Sequence, residues 1–268
     1  MPAGDHAVTI FRIEEENLKK IEPLFQGWDE TLIWSCLQGY MGTAWADSDV
    51  NPGSAQIVIA DFAIFAGEAK EELVRNRPPV YGSDFVVMVP QNHVWAALIQ
   101  DVYGNAAKAV TRYAIKKETG IFDVPGLREI VENIDDEYSL RMFDEEMYNQ
   151  AMANRWSRDL CAQFADYRDF SEKGLGAGVL HNGELVAGAS SYTVYRGGIE
   201  IEIDTRTDCR RRGLALACGA RLILTCLERD LYPSWDAQNK GSVALAEKLG
   251  YHFDREYVVY EVTGYGTK

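Results

Sequence analysis

The run Cys209-Arg210-Arg211-Arg212-Gly213-Leu214-Ala215 is where this 268-residue sequence gathers groups able to hold an anion. It precedes a long helical pattern, and the first turn of a helix leaves backbone N–H groups unpaired and aimed at one point. The helix dipole adds partial positive charge there, which suits a diphosphate. At Gly213 no side chain keeps the backbone away from such a ligand, Ala215 keeps the first turn thin, and three arginines attract phosphate over a longer range. The same residues also fit a plainer reading, a basic helix start on a surface loop. Just upstream, Ile199, Ile201 and Ile203 alternate with Glu200, Glu202 and Asp204, so three carboxylates project from one side of a strand. Taken alone, that alternation equally describes a half-exposed strand.

Other groups gather less well. Gly174-Leu175-Gly176-Ala177-Gly178 is glycine-rich, but a strand pattern follows it, which predicts a turn or bulge. The histidines His6, His93, His181 and His252 are scattered, and no metal-ligand spacing or nucleophile triad is visible. Cys209 beside arginines reads as a small packed residue. Trp28, Trp34, Trp45 and Trp95 read as core or lobe-interface anchors.

The elements that must position these residues are clearest in the second half. Residues 138–143 alternate as a strand, and 144–170 carry helical spacing of apolar residues. Residues 178–181 and 185–195 form a hairpin about Asn182-Gly183, a pair suited to the positive φ of a tight turn. The acid-lined strand is 199–204, and 213–229 is a helix whose polar stripe (Arg221, Thr225, Glu228, Arg229) is so narrow that most of it must be buried. A strand at 232–237, a helix at 241–249 ended by Gly250, and a strand at 257–262 complete the pattern. In the first half, 57–65 and 85–89 are strand-like, 94–103 helical and 109–115 strand-like. Gln91-Asn92 precedes a helix ending at Tyr103-Gly104, and Gln238-Asn239 precedes one ending at Gly250-Tyr251. Both offsets are 147 residues (239 − 92 and 250 − 103), which points to duplication of a strand–helix–strand unit or to two similar caps. A Pro-Gly pair and an acidic cluster put the boundary within 126–136.

Composition bounds the function. With 47% hydrophobic and 25% charged residues the chain is a soluble globular protein by composition. A formal charge of −14 repels phosphate backbones, so nucleic acid is not expected, while cationic small molecules or basic peptides are drawn in. No apolar run suits a membrane helix, and residues 1–20 lack the apolar stretch of a secretory signal. Five cysteines without close pairing read as reduced thiols in the cytoplasm.

The sequence resembles the GNAT superfamily of N-acetyltransferases. That family's phosphate loop reads Gln or Arg, two variable residues, Gly, a variable residue, then Gly or Ala, and Arg210 to Ala215 match it. Asn239-Lys240-Gly241-Ser242, Leu245 and Glu247-Lys248-Leu249-Gly250-Tyr251 look like the family's asparagine, helix and Leu-Gly-aromatic ending. The two motifs cover about half the chain, and the whole resembles a branch in which such a domain follows a lobe of similar ancestry. The resemblance implies an α/β (α+β) fold, a twisted, mixed, mostly antiparallel sheet with helices on both faces, in two tandem lobes. Residues 1–130 would be a degenerate lobe without a phosphate loop, and 134–268 the acetyl-CoA-binding catalytic domain.

Carried over by position, Arg210, Arg211, Arg212, Gly213, Leu214 and Ala215 would bind the pyrophosphate of acetyl-CoA. Ile203 and Thr205 would offer backbone groups to the pantetheine arm, and Asn239 and Ser242 would hydrogen-bond the cofactor near its amides. The implied reaction is acetyl transfer to a primary amine by direct attack, with no metal. The amine must first lose a proton, and Glu202 is the expected base, helped by Glu200, Asp204 or Asp236. Many members place a tyrosine, the acid for the departing thiolate, where this chain has Ala246; Tyr251, Tyr257 and Tyr260 are weak substitutes. A CoA-binding pseudoenzyme or sensor is therefore the alternative, and a purely structural protein a third. The acceptor, a small-molecule or peptide amine, and the oligomeric state, a homodimer included, stay open.

Overall fold

Short β-branched and aromatic runs separated by Gly, Asn and Asp turns set the architecture. The computed structural model describes residues 9–78 and 84–264, so His6 lies outside the described residues. The chain forms two compact units, one holding it up to Thr111 and again from Tyr257, the other running Arg112–Glu256. In chain order the elements are β1 (Phe11–Ile13), α1 (Thr31–Leu37), β2 (Thr43–Ala46), β3 (Ser54–Ile59), β4 (Phe62–Gly67), α2 (Glu71–Arg75), β5 (Phe85–Pro90), α3 (His93–Tyr103) and β6 (Ala107–Ile115). There follow α4 (Val124–Glu132), β7 (Tyr138–Met142), α5 (Glu145–Ala153), α6 (Tyr167–Lys173), β8 (Gly176–His181), β9 (Glu184–Tyr195), β10 (Gly198–Thr205), α7 (Leu214–Glu228), β11 (Tyr232–Ser234), β12 (Asp236–Ala237), α8 (Lys240–Lys248) and β13 (Phe253–Thr263).

In the first unit the sheet runs β1-β2-β3-β4-β5-β13, antiparallel except where β4 lies parallel to β5. Its core gathers Phe65, Met88, Trp95, Ile99 and Val262, and Tyr260 belongs to it too, which makes that tyrosine a packing residue. Trp95 is wholly buried, its ring stacked 5.1 Å from that of Phe65, and its indole N–H donates to the Gly67 carbonyl at 2.9 Å. That bond removes the cost of burying an indole donor. Asn92 starts α3 by accepting from the N–H groups of Val94 and Trp95.

In the second unit the sheet runs β11-β10-β9-β8-β7. The β8–β9 hairpin turns on Asn182 and Gly183, with φ of 51° and 83°, the left-handed pair a two-residue turn needs. Helix α7 covers one face. Ten of its fifteen residues are buried, as its narrow polar stripe requires, because both the sheet strands and α4 pack on it. The other face carries α5 and a single helical turn at Arg158–Leu160. The predicted helical run 144–170 is thus divided. Asn154 leaves α5 in extended geometry, Ser157 Oγ donates to the Ala151 carbonyl, and Asp166 restarts the chain as the cap of α6. The glycines of 174–178 open no helix; a Cβ on Gly176 or Gly178 would press within 3 Å of Phe143, so they serve close packing.

Candidate active site

Strand β10 is paired with β9 along its whole length, but with β11 only over Gly198–Glu200, in parallel. After Ser234 the chain changes partner: Trp235 belongs to neither strand, and Asp236 and Ala237 pair instead with Ala114 and Tyr113 of β6. The predicted single strand 232–237 is therefore split, and among the described residues no strand lies beside the β10 edge from Ile201 to Thr205 on that side. Local side chains satisfy part of this edge. The Thr205 N–H donates to Asp204 Oδ1 at 2.7 Å, and the Thr205 carbonyl accepts from Arg210 Nε at 3.1 Å. An extended ligand carrying amides can pair with such an edge as a further strand would.

At the end of that edge the chain turns into α7. Arg211 and Gly213 are both left-handed, with φ of 64° and 80°, and Gly213 starts α7 without any side-chain cap. Alternating hand along a loop turns successive N–H groups inward, the concave arrangement that binds anions. A Cβ built on Gly213 meets nothing within 4 Å, so the space over this loop is open. Three other helices of the unit close their own starts, α5 with Asp144, α6 with Asp166 and α8 with Asn239, while α4 begins on Asp123 without a side-chain cap but with Pro125 in its first turn. Arg206 is committed to Asp208 and Glu184, whereas Arg210 and Arg212 lie along the loop, the latter donating to the Tyr138 hydroxyl at 3.0 Å. Leu214 is buried and Ala215 half-buried beneath. Beside the loop lies a cavity of about 420 Å³ walled by Tyr138, Arg212, Gly213, by Glu129 and Ile130 of α4, and by Asn133 just past its end. Sequence reasoning missed α4; Leu127, Ile130 and Ile134 at helical spacing after Val124-Pro125 were its signal.

The acids of β10 are not a solvated face. Glu200 is 6% exposed, and Glu202 and Asp204 are half-buried. Directly opposed residues share a face of a sheet, so Glu202 and Asp204 lie with Ser190 and Gly188 on the side covered by Leu160, where Ser190 Oγ donates to the Leu160 carbonyl. Ile203 faces α7. Burial holds the Asp204 carboxyl above the usual carboxylate range, with the Thr205 N–H and Arg210 pulling the other way. Asp236 is committed elsewhere: its carboxylate takes Arg112 Nε and Nη2 at 2.8 and 2.7 Å.

Around the split, Asn239 is exposed and its Oδ1 accepts from the Ser242 N–H. Ser242 Oγ accepts from the indole of Trp235, a buried residue at the break that sequence reasoning overlooked; an indole needing a partner after Pro233 was its signal. Tyr251 is packed edge-on against Trp235, and its hydroxyl donates to the Pro233 carbonyl at 2.6 Å. Burial, first of all, raises its pKa well above the ordinary phenol value, so Tyr251 braces β11 and is a poor proton donor. Ala246 is completely buried. Among the described residues no group of three or more His, Cys, Asp or Glu could hold a metal ion, and no helix is long and apolar enough to cross a membrane.

Three comparisons bear on this geometry. A family model described as GNAT acetyltransferase matches residues 22–260. A solved GCN5-related N-acetyltransferase-like protein from Streptococcus suis is 42% identical over 92% of this chain and 98% of its own, with a TM-score of 0.87. An uncharacterized N-acetyltransferase of Bacillus subtilis, YdfB, is 38% identical over 93 residues, 34% of this chain and 36% of the relative's length. The chain thus spans about a third of that curated relative. A tandem GNAT protein from the clavulanic acid biosynthesis pathway is 12% identical with a TM-score of 0.56 over 96% of this chain and 98% of its own, which is a likeness of fold alone.

Proposed function

The chain belongs to the GNAT acetyltransferase family, and from that premise we propose that it moves an acetyl group from acetyl-CoA to a primary amine, cationic before it reacts. One observation carries the reading: an uncapped helix start with left-handed Arg211 and Gly213 stands at the end of a strand whose edge has lost its neighbour. The residues present fit the group. Main-chain N–H groups from Arg210 to Ala215 would hold the diphosphate, with the open space over Gly213 as the cradle. Ile203 would offer edge amides to the pantetheine arm, as would Thr205 where the arm displaces Asp204 or Arg210 from its backbone, and Asn239 and Ser242 lie at the start of α8 for its amides. When bound, the thioester supplies an activated acyl group.

The chain's own task is to present a neutral amine. An alkyl ammonium of pKa about 10 is almost fully protonated at neutral pH, so a carboxylate must take its proton. Glu202, half-buried on the stretch of β10 that β11 does not flank, is the proposed base, and Glu200 and Asp204 on the same face favour a cation. Asp236, held by Arg112, keeps an electrostatic role at most. Holding both reactants in line supplies much of the acceleration. The −14 charge adds attraction for a small-molecule or peptide amine, and a cytoplasmic setting suits the thiols. Ala246, buried where many members carry the acid tyrosine, favours a second reading, a CoA-binding sensor without turnover.

A thermal-shift titration with acetyl-CoA tests the first step. Ligand at a hundredfold excess over its dissociation constant adds about 2.7 kcal/mol of stability. Thiol release on adding an amine panel then separates enzyme from sensor. The protein's own thiols stay silent in that assay: all five are buried, and burial pushes Cys36, Cys161, Cys218 and Cys226 up to about 12. No shift contradicts the proposal; a shift without release supports the sensor.

A further inference from the structure

The first unit contains a concavity of about 610 Å³ for which the acetyl-transfer reading has no use. Its volume lies within the roughly 300–1,000 Å³ usual for small-ligand sites. Phe25 and Ile33, both almost completely buried, form the floor, and Trp28 and Trp34 line it while half-exposed. The placement of the tryptophans is telling. In α1 the residues Thr31, Leu32, Ile33, Ser35 and Cys36 are buried, and Trp34 is turned from that core into the concavity. Trp28 stacks on Phe25 with ring centroids 6.4 Å apart, leaving part of its surface open. Trp95 of the same unit shows the alternative, an indole fully enclosed with its N–H bonded. Trp28 and Trp34, whatever else they touch, keep part of their ring surface open to this hollow, burial that a stability role alone would favour completing.

The charge around them selects a ligand. Among the described residues, Glu22 and Asp29 line the concavity with one cation, Lys19, and the whole chain carries −14. Indole faces attract cations through their quadrupole, most strongly when water is displaced, and carboxylates at the rim add to that attraction. An anion is disfavoured on both counts, and a bare metal ion finds an apolar floor. We infer that this concavity binds an organic ammonium ion bearing an apolar body, the ammonium against the indoles and carboxylates and the body on Phe25 and Ile33. The site is independent of the thioester reading and stands if that reading fails.

Calorimetric titration of the full-length protein with phenethylammonium, neutral 2-phenylethanol and anionic phenylacetate tests it. The cation should bind best, and phenylacetate should not bind measurably. The double substitution Glu22→Gln with Asp29→Asn, isosteric changes at exposed positions, should weaken the cation roughly tenfold while leaving the alcohol and the melting temperature unchanged. Trp28→Leu should weaken both cation and alcohol. Gly213→Glu, which strikes the proposed phosphate loop, should leave all three affinities unchanged. Equal binding of cation and alcohol, or cation binding indifferent to Glu22, Asp29 and Trp28, would overturn the inference, as would the absence of any heat of binding.

Discussion

The two units carry the same local succession in two states, one closed and one open. In the first, hairpin β3–β4 leads through α2 to β5, which lies parallel to β4, and Asn92 caps the next helix. In the second, hairpin β9–β10 leads through α7 to β11, parallel to β10, and Asn239 caps the next helix. The differences sit at one place. Helix α2 has five residues with Glu71 and Glu72 in its first turn, so its dipole meets the chain's own carboxylates. Helix α7 has fifteen residues, and arginines with a left-handed glycine precede it. Strand β5 is continuous and paired on both sides, by β4 and β13, whereas its counterpart breaks at Trp235 and opens the edge of β10. Strand β4 reads Phe-Ala-Ile-Phe-Ala-Gly and is apolar throughout; β10 carries three carboxylates. The lesson is that the shared succession supplies a scaffold, and that the proposed affinity for an anion would come from what is left unpaired on it. The common order and the paired asparagine caps support the proposal that one unit was duplicated, the first keeping the scaffold without the loop.

The largest effect expected along this comparison is on turnover. Glu202→Gln should lower the rate constant by about 10²-fold or more, most severely below the pKa of the amine, while acetyl-CoA still stabilises the protein as in the wild type. An unchanged pH–rate profile would remove Glu202 from the mechanism and weaken the functional contrast with the apolar β4. The caps give a smaller, matched pair. Asn92→Ala and Asn239→Ala should each cost about 1 kcal/mol of stability in denaturant melts, since each removes an acceptor for the first turn of a helix. Only Asn239→Ala should also weaken acetyl-CoA in calorimetry; equal effects on the ligand would mean the units do not differ as described.

Asp204 supplies the smallest test. Its folded-state pKa lies above the unfolded value, so folding favours the protonated form, and the group costs stability as pH rises through its folded pKa. Asp204→Asn should therefore be slightly more stable than the wild type at neutral pH and converge with it in acid, below the ordinary carboxylate range. The asparagine oxygen keeps an acceptor for the Thr205 N–H. A melting profile in which the variant gains stability only in acid would contradict this.

What could be read from residues alone followed local pattern. The Asn182-Gly183 turn, the Ile-acid alternation of β10, the apolar bulk of α7 and the asparagine caps are encoded within a few neighbouring positions, and each has its predicted place in the fold. The separation of α5 from α6 was hidden because apolar spacing persists through 154–166 although Ser157 ends the first helix by binding back to Ala151. The break at Trp235 was hidden for another reason. Pro233, Trp235 and Ala237 keep a strand's alternation, and only the exchange of partners from β10 to β6 reveals the opening. Helix α4 was hidden because Pro125-Gly126 reads as punctuation, although Pro is at home in the first turn of a helix. Partner choice and helix packing are non-local properties, and they are what the site depends on.

The central claim is that the backbone from Arg210 to Ala215 cradles a diphosphate. Calorimetric titration of acetyl-CoA into the wild type, Gly213→Asn and Gly213→Glu tests it most directly. Asparagine tolerates the left-handed conformation and should retain binding, whereas glutamate fills the open space with negative charge and should abolish it without lowering the stability of the free protein by more than a strained residue does, about 1–2 kcal/mol. Wild-type affinity in Gly213→Glu would contradict the account.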